Sequence, residues 1–317
     1  MDSPDKTSQK IYVAGHRGMA GSAIVRSLQA KGYKNIITAT HAELDLRNQA
    51  DTHRFLEQHK PDYIFIAAAK VGGILANDQL RAEFIYNNLM IECNLIHAAH
   101  LSGVQRLCFL GSNCIYPRIC PQPIKEEYLL TGLLEPTNEP YAVAKIAGLK
   151  LCEAYNAQYG RQYFSVMPPN LFGPNDNYHM NHSHVLPALL RKAHEAKVSG
   201  QKRLVVWGTG TPKREFLYID DFADACTFLM DHNYAGNIIN IGSGQDMTIQ
   251  ALADTISKVI GFTGEIVFDA SKPDGTPRKL LDISKMSALG WKARYSLEEG
   301  IKRSYADFLE RYALITS

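Results

Sequence analysis

The sequence predicts an α/β protein with a doubly wound parallel sheet and a smaller α/β domain towards the C-terminus. Short apolar segments alternate with helical patterns from Ile11 to Pro168, and this alternation is typical of parallel sheets with right-handed crossovers. A glycine-rich loop directly follows the first apolar segment. The alternation becomes less regular after residue 171, so we expect one domain over residues 10–171 and a second over residues 172–317, with some later segments returning to the first domain.

The loop after the first predicted strand contains glycines at steps of three. The strand covers residues 11–14, Gly15, Gly18 and Gly21 follow it, and a helical pattern then continues to Gly32. Such glycines let the backbone approach a pyrophosphate at the N-terminus of the helix. The spacing is Gly-x-x-Gly-x-x-Gly, but the order of strand, loop and helix predicts a Rossmann-like dinucleotide site. The alternative is a βα turn in which the glycines serve packing only.

The end of the second predicted strand, residues 35–40, bears on which dinucleotide binds. An acidic residue there binds the ribose 2′-hydroxyl of NAD, whereas cations accept the 2′-phosphate of NADP. The strand ends at Thr40 and His41, and Arg17 lies in the glycine loop. Arg17 and His41 favour NADP(H), while Glu43 leaves NAD open.

The third and fourth predicted strands point to the same edge of the sheet. Residues 63–69 end in small side chains, which let a cofactor lie close to the sheet. Residues 107–111 lead to Ser112, on the ligand side of a parallel sheet. Between these strands, residues 83–101 predict a long helix that serves either as a plain crossover or as a contact with a second copy in a dimer.

Tyr141 and Lys145 lie four residues apart in a helical pattern that continues through Ile146, Leu149 and Cys152. On a helix they share one face, one turn apart. An ammonium beside a phenol lowers the pKa of the phenol from about 10 towards neutrality. We therefore expect Tyr141 to donate a proton to a carbonyl oxygen that is receiving a hydride. Tyr-x-x-x-Lys alone is a weak pattern, and an ordinary amphipathic helix is the alternative.

The second half of the chain contains fewer strand patterns. Helices are predicted at residues 185–196, 248–260 and 297–311. Residues 216–221 predict a strand that leads into a capped helix, and residues 237–242 predict another strand. Both strands are candidates to rejoin the main fold.

Composition excludes several classes of protein. The 317 residues include 21% charged residues and carry a net charge of +2, which predicts neither a nucleic-acid nor a membrane surface. The first nine residues are polar and do not form a signal peptide. No apolar run reaches the ~18 residues that a membrane helix needs. The six cysteines lack Cys-x-x-Cys spacing, which predicts free thiols and a cytoplasmic location.

Four motifs together resemble the extended short-chain dehydrogenase/reductase superfamily and, within it, the GDP-L-fucose synthase family. They are Gly-His-Arg-Gly-Met at residues 15–19, Ala-Ala-Lys-Val-Gly-Gly-Ile at 68–74, Asn-Cys-Ile-Tyr-Pro at 113–117 and Glu-Pro-Thr-Asn-Glu-Pro-Tyr at 135–141. The similarity runs from about residue 10 to the C-terminus. It implies an NADP(H)-dependent 3,5-epimerase and 4-reductase that acts on GDP-4-keto-6-deoxy-D-mannose.

The resemblance also implies a role at each matching position. Ser112, Tyr141 and Lys145 are the implied reductase triad, and Cys114 and His184 are the implied acid/base pair of the epimerase. The reference pKa values of a thiol and an imidazole lead us to expect Cys114 as the base and His184 as the acid, the alternative being that Cys114 is a buried small hydrophobic residue. The implied cofactor-binding residues are Gly15, Arg17, Gly18, Met19, Gly21, His41, Asp45, Leu46, Ala68, Lys145, Pro168, Asn170, Leu171 and His184. Pro169 stands where the family often has Thr, which removes a hydroxyl and a backbone donor.

Five residues fall where the family contacts its nucleotide sugar: Asn138, Lys192, Trp207, Arg214 and Asp274. Cations suit a diphosphate, an aromatic plane can stack on a base or sugar, and a carboxylate accepts hydrogen bonds from sugar hydroxyls. Each residue alone has another explanation. Trp207 could belong to the core, and Arg214 could form an exposed ion pair with the adjacent glutamate.

Three histidines occur within the six residues 179–184, which raises the question of a metal site. A zinc site usually adds a Cys or carboxylate ligand at motif spacing, and none occurs here, so we expect no metal. His179 and His182 are then expected to be hydrogen-bonded or solvent-facing.

Two other functions remain open at this stage. A nucleotide-sugar 4-epimerase or 4,6-dehydratase uses the same scaffold, but it recycles a tightly bound NAD and lacks a pair like Cys114 and His184. A non-catalytic dinucleotide sensor has no need of a tuned proton donor. The expected partners are therefore a GDP-sugar and a second copy of the chain.

Overall fold

The computed structural model describes residues 7–179, 183–272 and 274–316. The strands are β1 (Lys10–Ala14), β2 (Asn35–Ile37), β3 (Tyr63–Ile66), β4 (Arg106–Leu110), β5 (Gln162–Met167), β6 (Asn170–Phe172), β7 (Arg203–Trp207), β8 (Lys213–Tyr218), β9 (Ile238–Asn240), β10 (Asp246–Thr248), β11 (Glu265–Asp269) and β12 (Arg278–Lys279). The helices are α1 (Met19–Ala30), α2 (Gln49–His59), α3 (Ile74–Gln79), α4 (Arg81–Leu101), α5 (Glu139–Tyr159), α6 (Val185–Val198), α7 (Ile219–Asp231), α8 (Ile249–Ile260), α9 (Ser284–Ala288) and α10 (Leu297–Thr316). Short 3₁₀ helices cover Asn113–Ile115 and Glu126–Tyr128.

The main sheet has six parallel strands in the order β2-β1-β3-β4-β5-β9. The chain starts at β1, adds strands on one side and then crosses to build the other side, which is a doubly wound sheet. The predicted fold class is confirmed. Strand β9 pairs with β5 at the edge, so the segment around residues 237–242 does return to the main sheet.

Both faces of the main sheet are covered by helices because the side chains of each strand alternate between two cores. On one face Ile11 and Val13 pack with residues of α1 and α7, including Leu28 and Phe222. On the other face Tyr12 packs with residues of α2, α4 and α5. This arrangement leaves the carboxyl ends of the strands open as a ligand-binding edge.

The second half adds two smaller sheets. Strand β8 pairs with β6 and β12 in parallel and with β10 antiparallel, while β7 pairs with β11. Helices α6, α8 and α10 contribute to a third core that contains Leu190, Leu252 and Phe308. Thr248 begins α8 with a side-chain cap, in which its oxygen accepts a hydrogen bond from the Ala251 backbone N–H. No helix in the described part of the chain is both long and apolar enough to cross a membrane.

Several element boundaries were predicted wrongly. The second strand ends at Ile37, because Thr40 forms a turn in which its N–H donates to the Glu43 carboxylate at 2.7 Å. The third strand ends at Ile66, ahead of the small residues that were assigned to it. In both cases the backbone leaves the sheet where the ligand-binding edge begins.

Candidate active site

The structure brings Ser112, Cys114 and Tyr141 to the carboxyl end of β4. Ser112 follows this strand, and its hydroxyl accepts a hydrogen bond of 3.3 Å from the Cys114 backbone N–H, which begins the first 3₁₀ helix. Helix α5 packs against this 3₁₀ helix, and Pro140 in its first turn suits a helix start. The thiol of Cys114 is close enough to Tyr141 to act on its ionisation.

Lys145 lies on the same face of α5 as Tyr141, with its Nζ 5.8 Å from the centre of the Tyr141 ring. The Nζ also lies 2.9 Å from the Glu92 carboxylate and 4.6 Å from the centre of the Phe109 ring. The side chains of Lys145 and Glu92 are 2% and 1% exposed, so this is a buried ion pair. Sequence reasoning missed Glu92, although an acidic residue at a core-facing position of α4 was the available signal.

Burial raises the pKa of the Tyr141 phenol well above its ordinary value, and negative charge at Cys114 or Glu92 raises it further. The expectation of a pKa lowered towards neutrality was therefore wrong for this arrangement. The physical reason is that the charge of Lys145 is balanced by Glu92, while the phenol loses its hydration. Tyr141 consequently holds its proton at neutral pH, as a proton donor must.

Cys114 is buried, and burial raises the pKa of its thiol. The ammonium of Lys279 is the main opposing influence, followed by the Ser112 hydrogen bond and Lys145. Lys279 lies on β12 and has its own pKa lowered by burial. Sequence reasoning missed Lys279, because only the pairing of β12 with β8 carries this distant segment to the site.

His184 occupies the position just before α6. The residue is exposed to solvent. Protein atoms nevertheless lie close around its imidazole, and this desolvation lowers its pKa. His182 lies outside the described residues. Among the residues that are described, no group of three His, Cys, Asp or Glu side chains could hold a metal ion.

The glycine loop forms a close-fitting cradle between β1 and α1. Gly15 has a φ of +83°, and a Cβ there would meet the Ala68 nitrogen at 2.7 Å. A Cβ on Gly21 would clash with the Gly15 carbonyl oxygen. Gly18 begins α1 without a side-chain cap, and no acidic residue lies in the first turn that starts at Met19. The free helix N-terminus and the bare backbone suit a pyrophosphate.

Some polar side chains near this cradle are exposed, while others are bound by neighbouring residues. Arg17 and His41 are exposed. The Glu43 carboxylate is used in the turn after β2, and its pKa is lowered by the backbone and hydroxyl of Thr40 and by Arg17. The pKa of Asp45 is lowered to about 2, chiefly by Arg47. Glu43, the residue that left NAD open, therefore has one carboxylate oxygen engaged by the Thr40 backbone.

Three further residues implied for the cofactor, Pro168, Asn170 and Leu171, lie just after β5 and in β6. The Pro168 carbonyl accepts a hydrogen bond of 3.1 Å from the Asn113 N–H, which ties the end of β5 to the loop that follows Ser112. The Asn170 side chain donates to the Glu215 carbonyl at 3.0 Å, and Leu171 packs on the core of the main sheet. Leu46 lies between β2 and α2, and its carbonyl accepts a hydrogen bond of 2.9 Å from the Asn94 side chain on α4.

The residues implied for the nucleotide sugar cluster around the ends of β7 and β8. Trp207 is 47% exposed, which excludes the core alternative, and the ammonium of Lys192 lies 4.8 Å from the centre of its ring. The ammonium of Lys272 lies 5.6 Å from the same ring and was missed by the sequence analysis. Two cations therefore flank an exposed aromatic plane.

Arg214 does not form the alternative surface pair with its neighbour Glu215. Glu215 is buried and accepts hydrogen bonds from the Gly244 and Leu281 backbone at 2.7 and 2.9 Å. Arg214 instead contacts the Asp274 carbonyl at 3.5 Å, and burial lowers its pKa. The Asp274 carboxylate accepts two hydrogen bonds from the residue after Gly208, at 2.7 and 2.8 Å.

Asn138 immediately precedes α5. Its side-chain oxygen is buried and has no hydrogen-bond partner among the described residues. An unpaired buried polar atom is costly. The Asn138 oxygen could accept a hydrogen bond from a ligand hydroxyl once the side chain rotates out of this buried position.

The site matches a known class of proteins. A model of the NAD dependent epimerase/dehydratase family matches residues 11–242, which include β1, the glycine cradle and the Tyr141–Lys145 helix.

The similarity to individual proteins is closer. The chain is 56% identical to GDP-L-fucose synthase 1 of Arabidopsis thaliana, covering 98% of this chain and 96% of the relative. It is 53% identical to the GDP-L-fucose synthase of Escherichia coli, covering 96% and 98%. A crystal structure of a GDP-L-fucose synthetase from Naegleria fowleri bound to NADP superposes with a TM-score of 0.87 at 30% identity, covering 97% and 96%. The chain therefore belongs to the NAD dependent epimerase/dehydratase family and, within it, to the GDP-L-fucose synthase family.

Proposed function

We propose that this chain converts GDP-4-keto-6-deoxy-D-mannose to GDP-L-fucose, by 3,5-epimerisation followed by NADPH-dependent reduction of the C4 ketone. One observation carries this proposal: a thiol, Cys114, lies within the same small space as Ser112, Tyr141 and Lys145. A reductase needs the hydroxyls and the ammonium but has no use for the thiol. The membership of the family supports the same conclusion.

NADP(H) is the cofactor that these residues fit. The cradle of Gly15, Gly18 and Gly21 suits the pyrophosphate, and Arg17 with His41 suits the 2′-phosphate. Bound there, NADPH supplies the hydride that reaches C4 of the sugar. The narrow approach between Gly15 and Ala68 leaves no space for a larger side chain in the cradle.

In the reductive step Tyr141 donates its proton to the C4 oxygen, and Ser112 donates a hydrogen bond to the same oxygen. Because burial raises its pKa, the phenol is a proton donor at neutral pH. Lys145 keeps positive charge close to the oxygen on which negative charge develops.

Epimerisation requires a base on one face of the sugar and an acid on the other. The ketone makes the neighbouring protons acidic, and the hydroxyls of Ser112 and Tyr141 stabilise the enolate oxygen. Cys114 removes the proton, and His184 returns one. The nearby Lys279 ammonium favours the thiolate, which burial disfavours. Desolvation lowers the pKa of His184, so its role as the acid requires negative charge on the bound substrate or cofactor to favour the imidazolium.

The segment after residue 172 supplies the nucleotide-sugar side of the cleft. Lys192 and Arg214 bind the diphosphate, Trp207 stacks on an aromatic or sugar ring, and Asp274 with Asn138 accepts hydrogen bonds from hydroxyls. Four of these five residues follow residue 172, which supports a cofactor domain over residues 10–171 and a substrate domain over residues 172–317, while Asn138 contributes to the substrate site from the first domain.

The enzyme acts as a homodimer in the cytoplasm. Helices α4 and α5 pack side by side, and their outer surfaces carry Tyr86 and Val143, which are 61% and 39% exposed. Cys93 and Ala154 are exposed on the same two helices. A second copy covers this apolar surface by placing its own α4 and α5 against it. The six free cysteines agree with a reducing compartment.

The decisive experiment is incubation with GDP-4-keto-6-deoxymannose and NADPH in D₂O, followed by NMR of the product. The wild-type protein is expected to form the L-sugar with deuterium at C3 and C5. Cys114→Ser should nearly stop epimerisation and leave a D-sugar as the reduced product. Tightly bound NAD and no consumption of added NADPH would instead indicate a 4-epimerase or dehydratase.

Cys120→Ser is the matched control, because this second thiol also lies near the Lys279 ammonium but has no assigned role. It should give the wild-type product. If Cys114→Ser forms the doubly deuterated L-sugar at the full rate, the assignment of the base is wrong.

A further inference from the structure

Helix α4 places the Glu92 carboxylate next to Lys145, the lysine of the proposed reductase triad. The Glu92 carboxylate lies 2.9 Å from the Lys145 Nζ, and both side chains are almost completely buried. The contact is a short ion pair: burial raises the pKa of Glu92, and Lys145 opposes this by its charge and by hydrogen bonding. No other described residue is a hydrogen-bond partner of the carboxylate oxygens.

The fold keeps a specific space open for this carboxylate. Gly148 lies on α5 just after Lys145, and a Cβ there would stand 2.8 Å from Glu92 Oε2 and 2.6 Å from the Phe109 ring. Any larger residue would push the carboxylate or the ring away. The glycine and the acid therefore form one arrangement, built by two different helices.

Few other ionisable groups face this pair. Glu92 acts on Tyr141, Cys152 and the adjacent Cys93, in each case raising the pKa of the neutral group. Lys145 faces the same phenol and the thiol of Cys114. In the described part of the chain, Lys145 is the one cation that acts on Glu92.

We propose that Glu92 is a positioning residue, which holds Lys145 as an ammonium at the point where it serves both Tyr141 and the cofactor ribose. This inference rests on the proposed function, which gives Lys145 those two tasks. A buried ammonium without a counter-charge loses its proton more readily, because burial disfavours the charged form. Pairing with Glu92 keeps the charge in place, and because an ammonium has three donors, those not directed at Glu92 stay available.

The first test measures NADPH binding by fluorescence titration without any sugar. The wild-type protein sets the reference ratio of NADPH affinities at pH 6.5 and 8.5, which includes any contribution of the other groups at the cofactor site. Glu92→Gln keeps the shape but removes the charge, so its affinity should fall about 5-fold more than that of the wild type between pH 6.5 and 8.5. Adding Lys145→Arg to this variant should abolish the pH-dependent loss, because a guanidinium stays charged.

The second test measures reduction of the keto sugar. Glu92→Gln should lower kcat about 10-fold at pH 8.5, with KM for the sugar within about 2-fold of wild type. Lack of turnover by the wild type would refute the proposed function. The role of Glu92 would then still be tested by the pH dependence of NADPH binding, which needs no sugar.

Glu126→Gln is the matched control, since it neutralises another buried carboxylate, which pairs with Lys285 at 3.2 Å. It should lower thermal stability but keep the wild-type pH dependence. Wild-type pH dependence of binding and kcat in Glu92→Gln overturns the inference, as does an equal loss at both pH values. If Glu92→Gln does not fold, Glu92→Asp replaces it in the test. Its shorter side chain should give a smaller loss of NADPH affinity at pH 8.5 than is expected for Glu92→Gln. If Glu92→Asp shows no loss of affinity at pH 8.5, the inference is overturned.

Discussion

At the scale of single residues, the site depends on burial more than on the spacing that first suggested it. Tyr141 and Lys145 share a helix face as expected, but the phenol has a raised pKa because it is desolvated and because Glu92 balances the lysine. Proton donation does not need a lowered pKa. It needs a phenol that is protonated and placed against the ketone.

Replacing Tyr141 with Phe should abolish reduction and leave cofactor binding nearly intact. The loss in kcat is expected to be on the order of 10²–10⁴-fold, since the proton donor is removed. Stopped-flow loss of NADPH absorbance measures the rate, and fluorescence titration measures binding. Reduction at the wild-type rate would show that another group supplies the proton.

Arg17 should account for most of the preference for NADPH over NADH. It is exposed at the glycine cradle, whereas Glu43 and Asp45 are held by Thr40 and Arg47. Arg17→Ala should raise KM for NADPH about 10-fold or more, consistent with the loss of a charged hydrogen bond, and change that for NADH little.

The control for this comparison is Arg54→Ala, which removes another exposed arginine, paired with Asp51 on α2. Steady-state kinetics with both cofactors should give the wild-type ratio for this variant. An unchanged ratio in Arg17→Ala would place the 2′-phosphate elsewhere.

At the scale of elements, the segment between β6 and α6 contains a buried carboxyl group, that of Asp176. The Asp176 side chain is buried, one oxygen accepts a hydrogen bond of 2.7 Å from Asn177, and the other has no partner among the described residues. Burial raises the pKa of Asp176 to about 7. This segment leads to His184, so its stability bears on the position of that imidazole.

The folded-state pKa of Asp176 lies above its value in the unfolded chain, so the protonated acid favours folding. Its contribution is complete below about pH 4 and is lost as pH rises to about 7. Asp176→Asn should therefore raise the free energy of unfolding at pH 8 by about 2–4 kcal/mol, with a much smaller gain at pH 4. Guanidinium unfolding at both pH values measures this, and an equal gain at each pH would contradict it.

At the scale of the whole molecule, the proposed dimer interface is the outer surface of α4 and α5. Ala154→Arg places a charge in the middle of the proposed dimer surface and should convert the protein to a monomer. Light scattering after size-exclusion chromatography measures the mass. Ala288→Arg, on an exposed position of α9, is the control and should leave the dimer intact. A wild-type monomer would refute the dimer itself.

Much of the fold could be predicted because local patterns decide it. Strand β1, the glycine loop and α1 are adjacent in sequence, and α5 carries its helical period within one segment. The ends of the second and third strands were predicted wrongly, because residues 38–40 and 67–69 are as apolar or small as those before them. Where the chain leaves the sheet depends on contacts such as that of Thr40 with Glu43.

The sequence by itself determined the class of fold and the glycine loop between β1 and α1, because these features depend on short spacings and on the rule that parallel strands share a ligand-binding edge. Helix spacing placed Tyr141 beside Lys145, whereas the proposed role of Cys114 came from the family resemblance. Only the tertiary structure brought Glu92 to Lys145 and Lys279 to Cys114. Those partners lie 53 and 165 residues apart in the chain. Their effect comes from burial and charge at close range, which no local pattern contains.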